Sequence, residues 1–399
     1  MTTVLVTGAR GFVGRNLCVH LARLPDVTLL PYDVSGAVDG DEVLRRGIAE
    51  ADVVFHLAGV NRPADPAEFV TGNAGFTAEL CRRLAEARRT PHILFSSTIQ
   101  ATLDNPYGAS KRAAEKELCR WAEAVPDDAG ARVTVFRLTN LFGKWCRPNY
   151  NSVVATFCDN IAHDRPVEVR DPAYVVRLAY IDDVVVALLT AAGLVEGVAP
   201  FAIRYEIGSS GFRRVVDGCV PEHAITLCEL AEKIRFFRTM PETYQVPDSA
   251  DLFDRRLRAT YLSYLDPPQW EYGPVIRSDE RGNLAELLKS PHFGQIFVSR
   301  TRPGITRGNH YHHTKTEKFI VVAGTGLIRL RRIDPCGTVV DDGTEIVEFT
   351  VRGEEYRIVD IPPGWTHSIT NIGDDELVTL FHASEIFDSD APDTFYEPV

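Results

Sequence analysis

A change of pattern about two thirds of the way along the chain constrains the fold more than any other feature. Up to about residue 240, short apolar strands alternate with longer helical patterns, as where His92–Ser97 precedes the helical Lys111–Ala124. Such alternation predicts βαβ units and a doubly wound parallel sheet. Beyond the proline- and aromatic-rich segment Tyr261–Pro274, short β-rich segments are separated by Gly, Pro and Asp. The sequence therefore predicts an α/β domain followed by an all-β sandwich or barrel.

The length and net charge of the chain limit which classes of protein it can belong to. The chain has 399 residues, 45% of them apolar, which suffices for two or three packed domains. Its net charge of −12 argues against nucleic acid or an anionic membrane as the main partner, because both require a basic surface. The sequence lacks an apolar run of about 18 residues, and the first predicted strand starts close to Met1. We therefore expect neither a membrane span nor a signal peptide, and a cytoplasmic protein whose eight scattered cysteines are reduced.

A glycine-rich turn connects the first predicted strand to the first predicted helix. Gly8, Gly11 and Gly14 allow the backbone to approach a pyrophosphate, which the N-terminus of the following helix stabilises. This GxxGxxG spacing resembles that of the extended short-chain dehydrogenase/reductases, which have a Rossmann-like fold, and so does the segment Asp52–Gly59. The resemblance implies a dinucleotide site made of Gly8, Arg10, Gly11, Phe12, Val13, Gly14, Asp33, Leu57, Ala58, Asn73, Tyr107 and Lys111.

The pair Tyr107 and Lys111 indicates catalysis. The two residues are four apart on a helix that Pro106 introduces, so they share one face. An ammonium beside a tyrosine of pKa about 10 favours the phenolate and makes the hydroxyl useful as an acid or base near neutral pH. The family resemblance implies that Thr98, the third hydroxyl residue of Ser96–Thr98, holds a substrate carbonyl. Thr98, Tyr107 and Lys111 are the predicted catalytic residues of a reductase.

The sequence gives opposing signals on the coenzyme. Asp33 ends the second predicted strand, where a carboxylate would bond the ribose hydroxyls of NADH and repel a 2′-phosphate. Arg10, just before the second glycine of the turn, points instead to NADPH, because related reductases often place a basic residue there. The choice between NADPH and NADH stays open.

A polar segment after residue 139 is the predicted substrate region. It resembles the sugar-nucleotide segment of the extended reductases, and its basic and amide groups beside Trp145 and Tyr150 suit a diphosphate and a stacked uracil. An exposed basic loop is an equally good interpretation of this stretch. The predicted substrate residues are Asn140, Lys144, Arg147 and Asn149.

A second site is predicted in the β-rich part. His310 and His312 lie two apart in a predicted strand, so their imidazoles point to the same side. We expect Glu317 to reach the same point from the paired strand, and His367 to complete the set from a strand far along the chain. Three imidazoles and one carboxylate suit Zn²⁺, and also Fe²⁺, Mn²⁺ or Ni²⁺. The spacing resembles the two motifs of the cupins, a family of jelly-roll barrels, although Tyr356 stands where the second motif has a glycine.

The combination of both sites resembles the bacterial capsule-biosynthesis enzymes of the CapF and WbjC type. The resemblance extends over nearly the whole chain and includes Asn105–Tyr107 and Phe142–Cys146. It implies an extended reductase domain over residues 1–265, with a sugar-nucleotide subdomain from about residue 141, and a cupin domain over residues 266–399.

The same resemblance implies a bifunctional UDP-sugar enzyme. Its cupin domain would epimerise C3 of a UDP-2-acetamido-2,6-dideoxy-hexos-4-ulose, and its reductase domain would reduce the C4 ketone with NAD(P)H. The product would have the L-talose configuration and be a precursor of L-fucosamine for surface polysaccharide. The expected partner is this UDP-linked 4-keto amino sugar, and the expected assembly is a homodimer. In the alternative, only the reductase is catalytic, and the cupin is a structural dimerisation or sugar-binding module.

Overall fold

The computed structural model describes residues 1–33, 40–125, 132–196, 204–205, 220–333 and 346–399. The chain divides into two compact units. Met1–Arg235 with Arg256–Leu265 form the first unit, and Phe236–Arg255 with Asp266–Val399 form the second. The segment Phe236–Arg255 thus groups with the second unit, whereas the sequence suggested one boundary after residue 265. That simpler boundary stays a prediction.

The first unit alternates strands and helices. Its elements in chain order are β1 (Thr2–Thr7), α1 (Phe12–Leu21), β2 (Val27–Tyr32), α2 (Gly40–Glu50), β3 (Val53–His56), α3 (Ala67–Phe69), α4 (Phe76–Glu86), β4 (His92–Thr98), α5 (Pro106–Glu123), β5 (Arg132–Leu138), β6 (Asn140–Phe142), α6 (Val153–Ala162), β7 (Val175–Tyr180), α7 (Ile181–Ala191), β8 (Arg204–Tyr205) and β9 (Glu222–Thr226). Two further helices, α8 (Leu227–Thr243) and α9 (Leu252–Leu262), contain residues of both units.

The main sheet has the strand order β2-β1-β3-β4-β5-β8. Strands β1 to β5 run parallel, and β8 pairs antiparallel with β5. Leu5 and Val54 face a core that includes α2, α4 and α5, whereas Val6 and Phe55 face a core that includes α1 and α7. Apolar residues on both faces of each strand explain why helices cover the sheet on both sides. The predicted doubly wound parallel sheet is confirmed.

A smaller sheet completes the first unit, with the order β6-β7-β9. Helix α8 follows it directly and begins with a capping box formed by Thr226 and Glu229. The Glu229 N–H donates to Oγ1 of Thr226 at 3.2 Å, and the Thr226 N–H donates to the Glu229 carboxylate at 3.0 Å. Each side chain thus satisfies a backbone donor that the first helical turn leaves open.

The second unit is built mainly from antiparallel strands. They are β10 (Ile276–Asp279), β11 (Gly282–Ser290), β12 (Gly294–Thr301), β13 (Thr306–Tyr311), β14 (Glu317–Ala323), β15 (Thr325–Arg332), β16 (Val347–Arg352), β17 (Ile358–Ile361), β18 (Trp365–Asn371), β19 (Leu377–Ala383) and β20 (Phe395–Tyr396). One sheet has the order β10-β11-β12-β19-β14-β17 and the other β16-β15-β18-β13-β20. Phe319 and Phe381 of the first sheet share a core with Ile328 and Ile369 of the second. The predicted all-β domain is confirmed.

Within the described residues, none of the helices is both long enough and apolar enough to span a membrane.

Candidate active sites

The glycine-rich turn lies at the carboxyl end of β1, where the strand order reverses. The chain leaves β1 for β2 on one side and later returns to β3 on the other, so a crevice opens between the loops after β1 and β3. Gly8 has φ of +72°, and a Cβ there would come within 2.7 Å of the Ala58 nitrogen in the loop after β3. A Cβ on Gly14 would overlap the carbonyl oxygen of Gly8. Helix α1 begins after Gly11, and its first turn offers the N–H groups of Phe12 and Val13 to a pyrophosphate.

The two residues with opposing coenzyme signals are neighbours. The backbone N–H of Arg10 donates to Oδ2 of Asp33 at 3.1 Å, and the Ala9 N–H donates to the Tyr32 carbonyl at 3.1 Å. The Asp33 carboxylate is therefore held against the glycine-rich turn at the end of β2, while the Arg10 side chain is exposed. Both groups lie beside the region where the ribose of a bound dinucleotide would lie.

The structure separates the roles of the two adjacent hydroxyls that end β4. The Ser97 hydroxyl donates to the buried Glu115 carboxylate, which also accepts from the Arg137 guanidinium at 2.7 Å. Thr98 Oγ1 accepts from the Gln100 N–H at 3.2 Å, so its own proton remains available to a substrate carbonyl. This difference supports Thr98 rather than Ser97 as the residue that contacts substrate. Neither Glu115 nor Arg137 was among the predicted site residues, although both lie beside this strand end.

Tyr107 and Lys111 lie on α5, as the spacing predicted. Asn105 caps the helix by accepting from the Gly108 N–H at 2.7 Å, which fixes the turn that carries Tyr107. The Lys111 ammonium lies 4.4 Å from the centre of the Phe95 ring. Asn73 donates to the Ser110 hydroxyl at 2.8 Å and accepts from the Val60 N–H at 2.8 Å. The predicted residue Asn73 therefore connects α5 to the loop after β3.

Burial, rather than a neighbouring charge, dominates the electrostatics of this pair. Burial, with a smaller contribution from the nearby Tyr150, raises the pKa of Tyr107 to about 12. Burial also lowers the pKa of Lys111 to about 8, although Glu115 opposes the shift. The expectation that the ammonium lowers the tyrosine pKa is thus not met in this structure. A protonated Tyr107 hydroxyl at neutral pH is suited to donate a proton to a ketone oxygen.

The predicted substrate residues differ in the contacts that they already make within the protein. Asn140 donates to the Arg177 carbonyl at 3.3 Å, and the Asn149 N–H donates to Thr156 Oγ1 at 3.0 Å. Lys144 pairs with Asp182 at 2.7 Å, so much of its charge is already neutralised. The exposed Arg147 guanidinium lies 5.3 Å from the Tyr150 ring centre. Of this set, Arg147 is therefore the best placed to meet a diphosphate.

The four predicted metal ligands come together in the second unit. The atoms that His310, His312, Glu317 and His367 could offer to an ion lie within 4.8 Å of one another. His310 on β13 is paired directly with His367 on β18. Glu317 instead begins β14 in the opposite sheet, so the expectation that it comes from the strand paired with that of the first two histidines was wrong. Both sheets therefore contribute ligands to one point.

Hydrogen bonds at the outer ring nitrogens show that the cluster suits a cation. Nδ1 of His312 lies 2.5 Å from the Asp393 carbonyl oxygen, and Nδ1 of His367 lies 3.4 Å from the Trp365 carbonyl oxygen. A carbonyl only accepts, so both Nδ1 atoms carry the proton, and in a neutral ring Nε2 is left with a bare lone pair. Among the described residues, neither of these two buried Nε2 atoms has a hydrogen-bond partner, and they lie 3.6 and 3.3 Å from the Glu317 carboxylate.

Lone pairs that face a carboxylate repel it unless a cation lies between them. Burial lowers the pKa of His310 to about 4, so this imidazole is neutral at pH 7 and able to bind an ion. The donor set therefore fits a divalent metal such as Zn²⁺.

Comparison with known proteins assigns a family model to each unit. The model of the NAD dependent epimerase/dehydratase family matches residues 4–208, just over half of the chain. The chain belongs to the NAD dependent epimerase/dehydratase family. It is thus an NAD(P)-dependent oxidoreductase, and a nicotinamide coenzyme is its cofactor. The Polysaccharide biosynthesis C-terminal domain matches residues 277–395, within the second unit.

Relatives of this epimerase/dehydratase chain match it from end to end. A Pseudomonas aeruginosa protein named UDP-2-acetamido-2,6-beta-L-arabino-hexul-4-ose reductase is 40% identical over 392 residues, which cover 98% of this chain and 97% of that protein. The crystal structure of the capsular polysaccharide assembling protein CapF from Staphylococcus aureus is 38% identical, with a TM-score of 0.84 and coverage of 99% and 100%. A CapF structure with the inhibitor 3-isopropenyl-tropolone is 34% identical, with a TM-score of 0.80 and full coverage of both chains. The predicted resemblance to the CapF type is confirmed.

Proposed function

We propose that the chain is a bifunctional nucleotide-sugar enzyme. Its second unit epimerises C3 of a UDP-2-acetamido-2,6-dideoxy-hexos-4-ulose, and its first unit reduces the C4 ketone with NADH or NADPH. The product is a UDP-2-acetamido-2,6-dideoxy-L-talose-type sugar, a precursor of L-fucosamine for surface polysaccharide. The observation that carries the proposal is the second buried site, whose three imidazoles and one carboxylate suit a divalent cation, in a chain that already contains a reductase site.

In the reductase site, a reduced nicotinamide coenzyme bound at the glycine-rich turn would supply the hydride to C4. Thr98 donates a hydrogen bond to the C4 oxygen and orients the ketone. Tyr107 then gives its proton to that oxygen as the alkoxide forms, and its raised pKa keeps the proton available at neutral pH. The Lys111 ammonium stabilises the resulting phenolate.

In the second site, the ketone at C4 makes the hydrogen on C3 acidic. A divalent cation held by His310, His312, Glu317 and His367 would act as a Lewis acid toward an oxygen that gains negative charge. Zn²⁺ fits this set, and Fe²⁺, Mn²⁺ and Ni²⁺ share its ligand preferences. The three imidazoles and the carboxylate would fix the position of that charge, and all four of these side chains except His310 are buried.

The order of the two steps follows from the chemistry of the ketone. While C4 is a ketone, a proton can leave C3 and return to the opposite face. Reduction removes the ketone, and with it the acidity of C3. Epimerisation must therefore come first, and reduction makes its outcome permanent.

The names of relatives support the sugar and the reduction. The Pseudomonas relative is named as a reductase of a UDP-linked 2-acetamido-2,6-dideoxy hexulose, and the Staphylococcus relative as a protein of capsular polysaccharide assembly. Tropolones chelate divalent metals through two adjacent oxygens, so a tropolone inhibitor of a CapF protein agrees with a metal-dependent step. A homodimer located in the cytoplasm stays our prediction.

Incubation of the enzyme with the UDP-linked 4-keto sugar in D₂O tests the proposal. We expect deuterium at C3 in the absence of coenzyme, because epimerisation does not need hydride, and a reduced product only when coenzyme is added. Removal of metal by a chelator should stop the exchange, and added Zn²⁺ should restore it. Reduction of an already epimerised ketone should persist in the chelated enzyme.

Reduction without any exchange at C3 would instead support the alternative in which the second unit is a structural or sugar-binding module.

A further inference from the structure

We propose that the last residues of the chain, Asp393–Val399, form a C-terminal strap that positions the metal ligands, with Asp393 as the positioning residue. The inference rests on the metal site of the proposed function. The strap residues are not among the four ligands, and they do not belong to the histidine motif from which the site was predicted. The strap contacts the three strands or turns that carry the histidines.

The first contact fixes His312. The Asp393 carbonyl oxygen accepts a hydrogen bond from Nδ1 of His312 at 2.5 Å. This bond leaves Nε2 of His312 directed at the other candidate metal ligands. An imidazole without a partner at Nδ1 can exchange its tautomer and rotate about χ2, so only part of its population would present Nε2 to an ion. The backbone of Asp393 thus removes that freedom before any ion binds.

The second contact fixes the position of this carbonyl. The Asp393 carboxylate accepts from three consecutive backbone N–H groups, those of His313 at 2.8 Å, Thr314 at 2.8 Å and Lys315 at 2.9 Å. It also accepts from the Thr314 hydroxyl at 3.0 Å. Successive N–H groups that converge on one carboxylate form an anion-binding nest. The side chain of Asp393 therefore holds the turn between His312 and Glu317 and, through it, the carbonyl that contacts His312.

The remaining contacts reach the other two histidines. Tyr396 of β20 pairs with His310 of β13, and the Glu397 N–H donates to the Asn309 carbonyl at 3.0 Å. The hydroxyl of Thr366, the residue before His367, donates to the Glu397 carbonyl. Thr366 and His367 are fully buried, so this bond lies inside the protein rather than on its surface.

A matched set of variants of the full-length enzyme tests the strap. After removal of metal, Zn²⁺ affinity is measured by competition with a chromophoric chelator for the wild type, Asp393→Ala, Asp393→Asn and Asp390→Ala. Asp393→Ala removes every carboxylate contact to the turn, and we expect its Zn²⁺ Kd to rise about 10- to 100-fold, as for other outer-shell partners of metal-bound histidine. Asp393→Asn keeps one accepting oxygen, so its Zn²⁺ Kd should lie between that of Asp393→Ala and that of the wild type. Asp390→Ala removes a carboxylate of the same charge from an exposed position three residues before Asp393. This variant should bind Zn²⁺ with the affinity of the wild type.

A second readout separates positioning from loss of fold. Co²⁺ bound to each variant reports ligand geometry through its visible absorption, and we expect the Asp393 variants to show a changed spectrum at saturating Co²⁺. Should Asp393→Ala fail to fold, the milder Asp393→Asn decides the question by the same two measurements.

Three outcomes remain distinguishable. Weaker Zn²⁺ binding and an altered Co²⁺ spectrum in the Asp393 variants alone support the strap. Equal affinity and identical spectra in the wild type and the Asp393 variants overturn the strap and leave the metal site standing. A wild type that binds neither ion overturns the metal site itself, and the strap with it.

Discussion

The two candidate sites are assembled in different ways. In the first unit, Gly8, Asp33 and Ala58 each follow a different parallel strand, and Thr98 ends a fourth. They meet because the carboxyl ends of those strands share one edge of the sheet. In the second unit, the ligands come from two facing sheets and meet inside the protein. The first arrangement leaves an open crevice suited to a long dinucleotide, and the second surrounds a single point.

The electrostatics of the two sites also differ. The first site contains a buried ammonium, Lys111, near the buried Glu115 carboxylate and beside a neutral phenol. The second site contains one buried carboxylate, Glu317, beside three imidazoles, of which His310 is neutral at pH 7. The second site is therefore complementary to a cation, and substitutions in one site should leave the other intact.

The largest expected effect concerns Tyr107. Tyr107→Phe removes the proton donor, and general acid catalysis typically contributes about 10²- to 10⁴-fold, so we expect the rate of ketone reduction to fall by that factor. Stopped-flow measurement of coenzyme oxidation with the 4-keto sugar gives the rate. Zn²⁺ content and the thermal unfolding midpoint should match the wild type. A fall of less than about tenfold would mean that another group donates the proton.

Lys111 should make the first unit less stable at neutral pH. Its folded pKa of about 8 is depressed from the ordinary value of 10.5, so the folded state binds the proton more weakly than the unfolded chain. The whole destabilising effect of Lys111 is therefore present below pH 8, and it disappears as the pH rises to about 10.5. A pKa shift of this size corresponds to about 3 kcal/mol in the free energy of unfolding. We expect Lys111→Met to raise the free energy of unfolding at pH 7 by up to that amount, and by little at pH 10.5.

The exposed Lys116 on the same helix is the matched control. Lys116→Met should change the urea unfolding midpoint little at either pH. A Lys111→Met enzyme that is less stable than the wild type at pH 7 would contradict the burial argument.

Coenzyme choice should respond to Asp33 and Arg10 in opposite directions. Asp33→Ala removes a carboxylate that repels a 2′-phosphate and bonds ribose hydroxyls, so the ratio of kcat/KM for NADPH to that for NADH should rise about tenfold or more. Arg10→Ala should lower the same ratio. Equal ratios in the wild type and both variants would show that neither side chain reaches the ribose.

A smaller effect is expected in the second unit, at Tyr356. This residue has φ of +48°, in the left-handed region, at the position where the cupin motif has a glycine. Its side chain is 70% exposed, so little packing is lost on its removal. We expect Tyr356→Gly to stabilise the second unit by about 1 kcal/mol, since a non-glycine residue in this conformation costs about that much. Tyr356→Ala keeps the backbone strain and should not stabilise it.

Local patterns in the sequence predicted most of the first site. Helix α5 begins at Pro106, just before Tyr107, as the sequence indicated. The apolar pattern alone marked only Lys111–Ala124 as helical, because the first turn contains Gly108 and small residues that give no apolar periodicity. Pro106 and the Asn105 cap explain why the helix begins earlier.

Long-range geometry was harder to predict. The four candidate metal ligands that the structure brings together followed from spacing, but the strand of Glu317 did not, because spacing does not reveal which sheet a strand joins. The support from Asp393 was missed for a similar reason, since it lies 81 residues beyond His312 and makes its contact through a backbone carbonyl that any residue type offers. Glu115 and Arg137 were missed because a helical glutamate and a strand arginine look like surface residues until their partners are known.

Deuterium exchange at C3 in the absence of coenzyme, measured by mass spectrometry on two variants in parallel, tests the central claim most directly. We predict that Tyr107→Phe exchanges C3 hydrogen at the rate of the wild type, whereas His367→Ala exchanges none although it still reduces an already epimerised ketone. Exchange that is lost in Tyr107→Phe and kept in His367→Ala would contradict the assignment of epimerisation to the metal site.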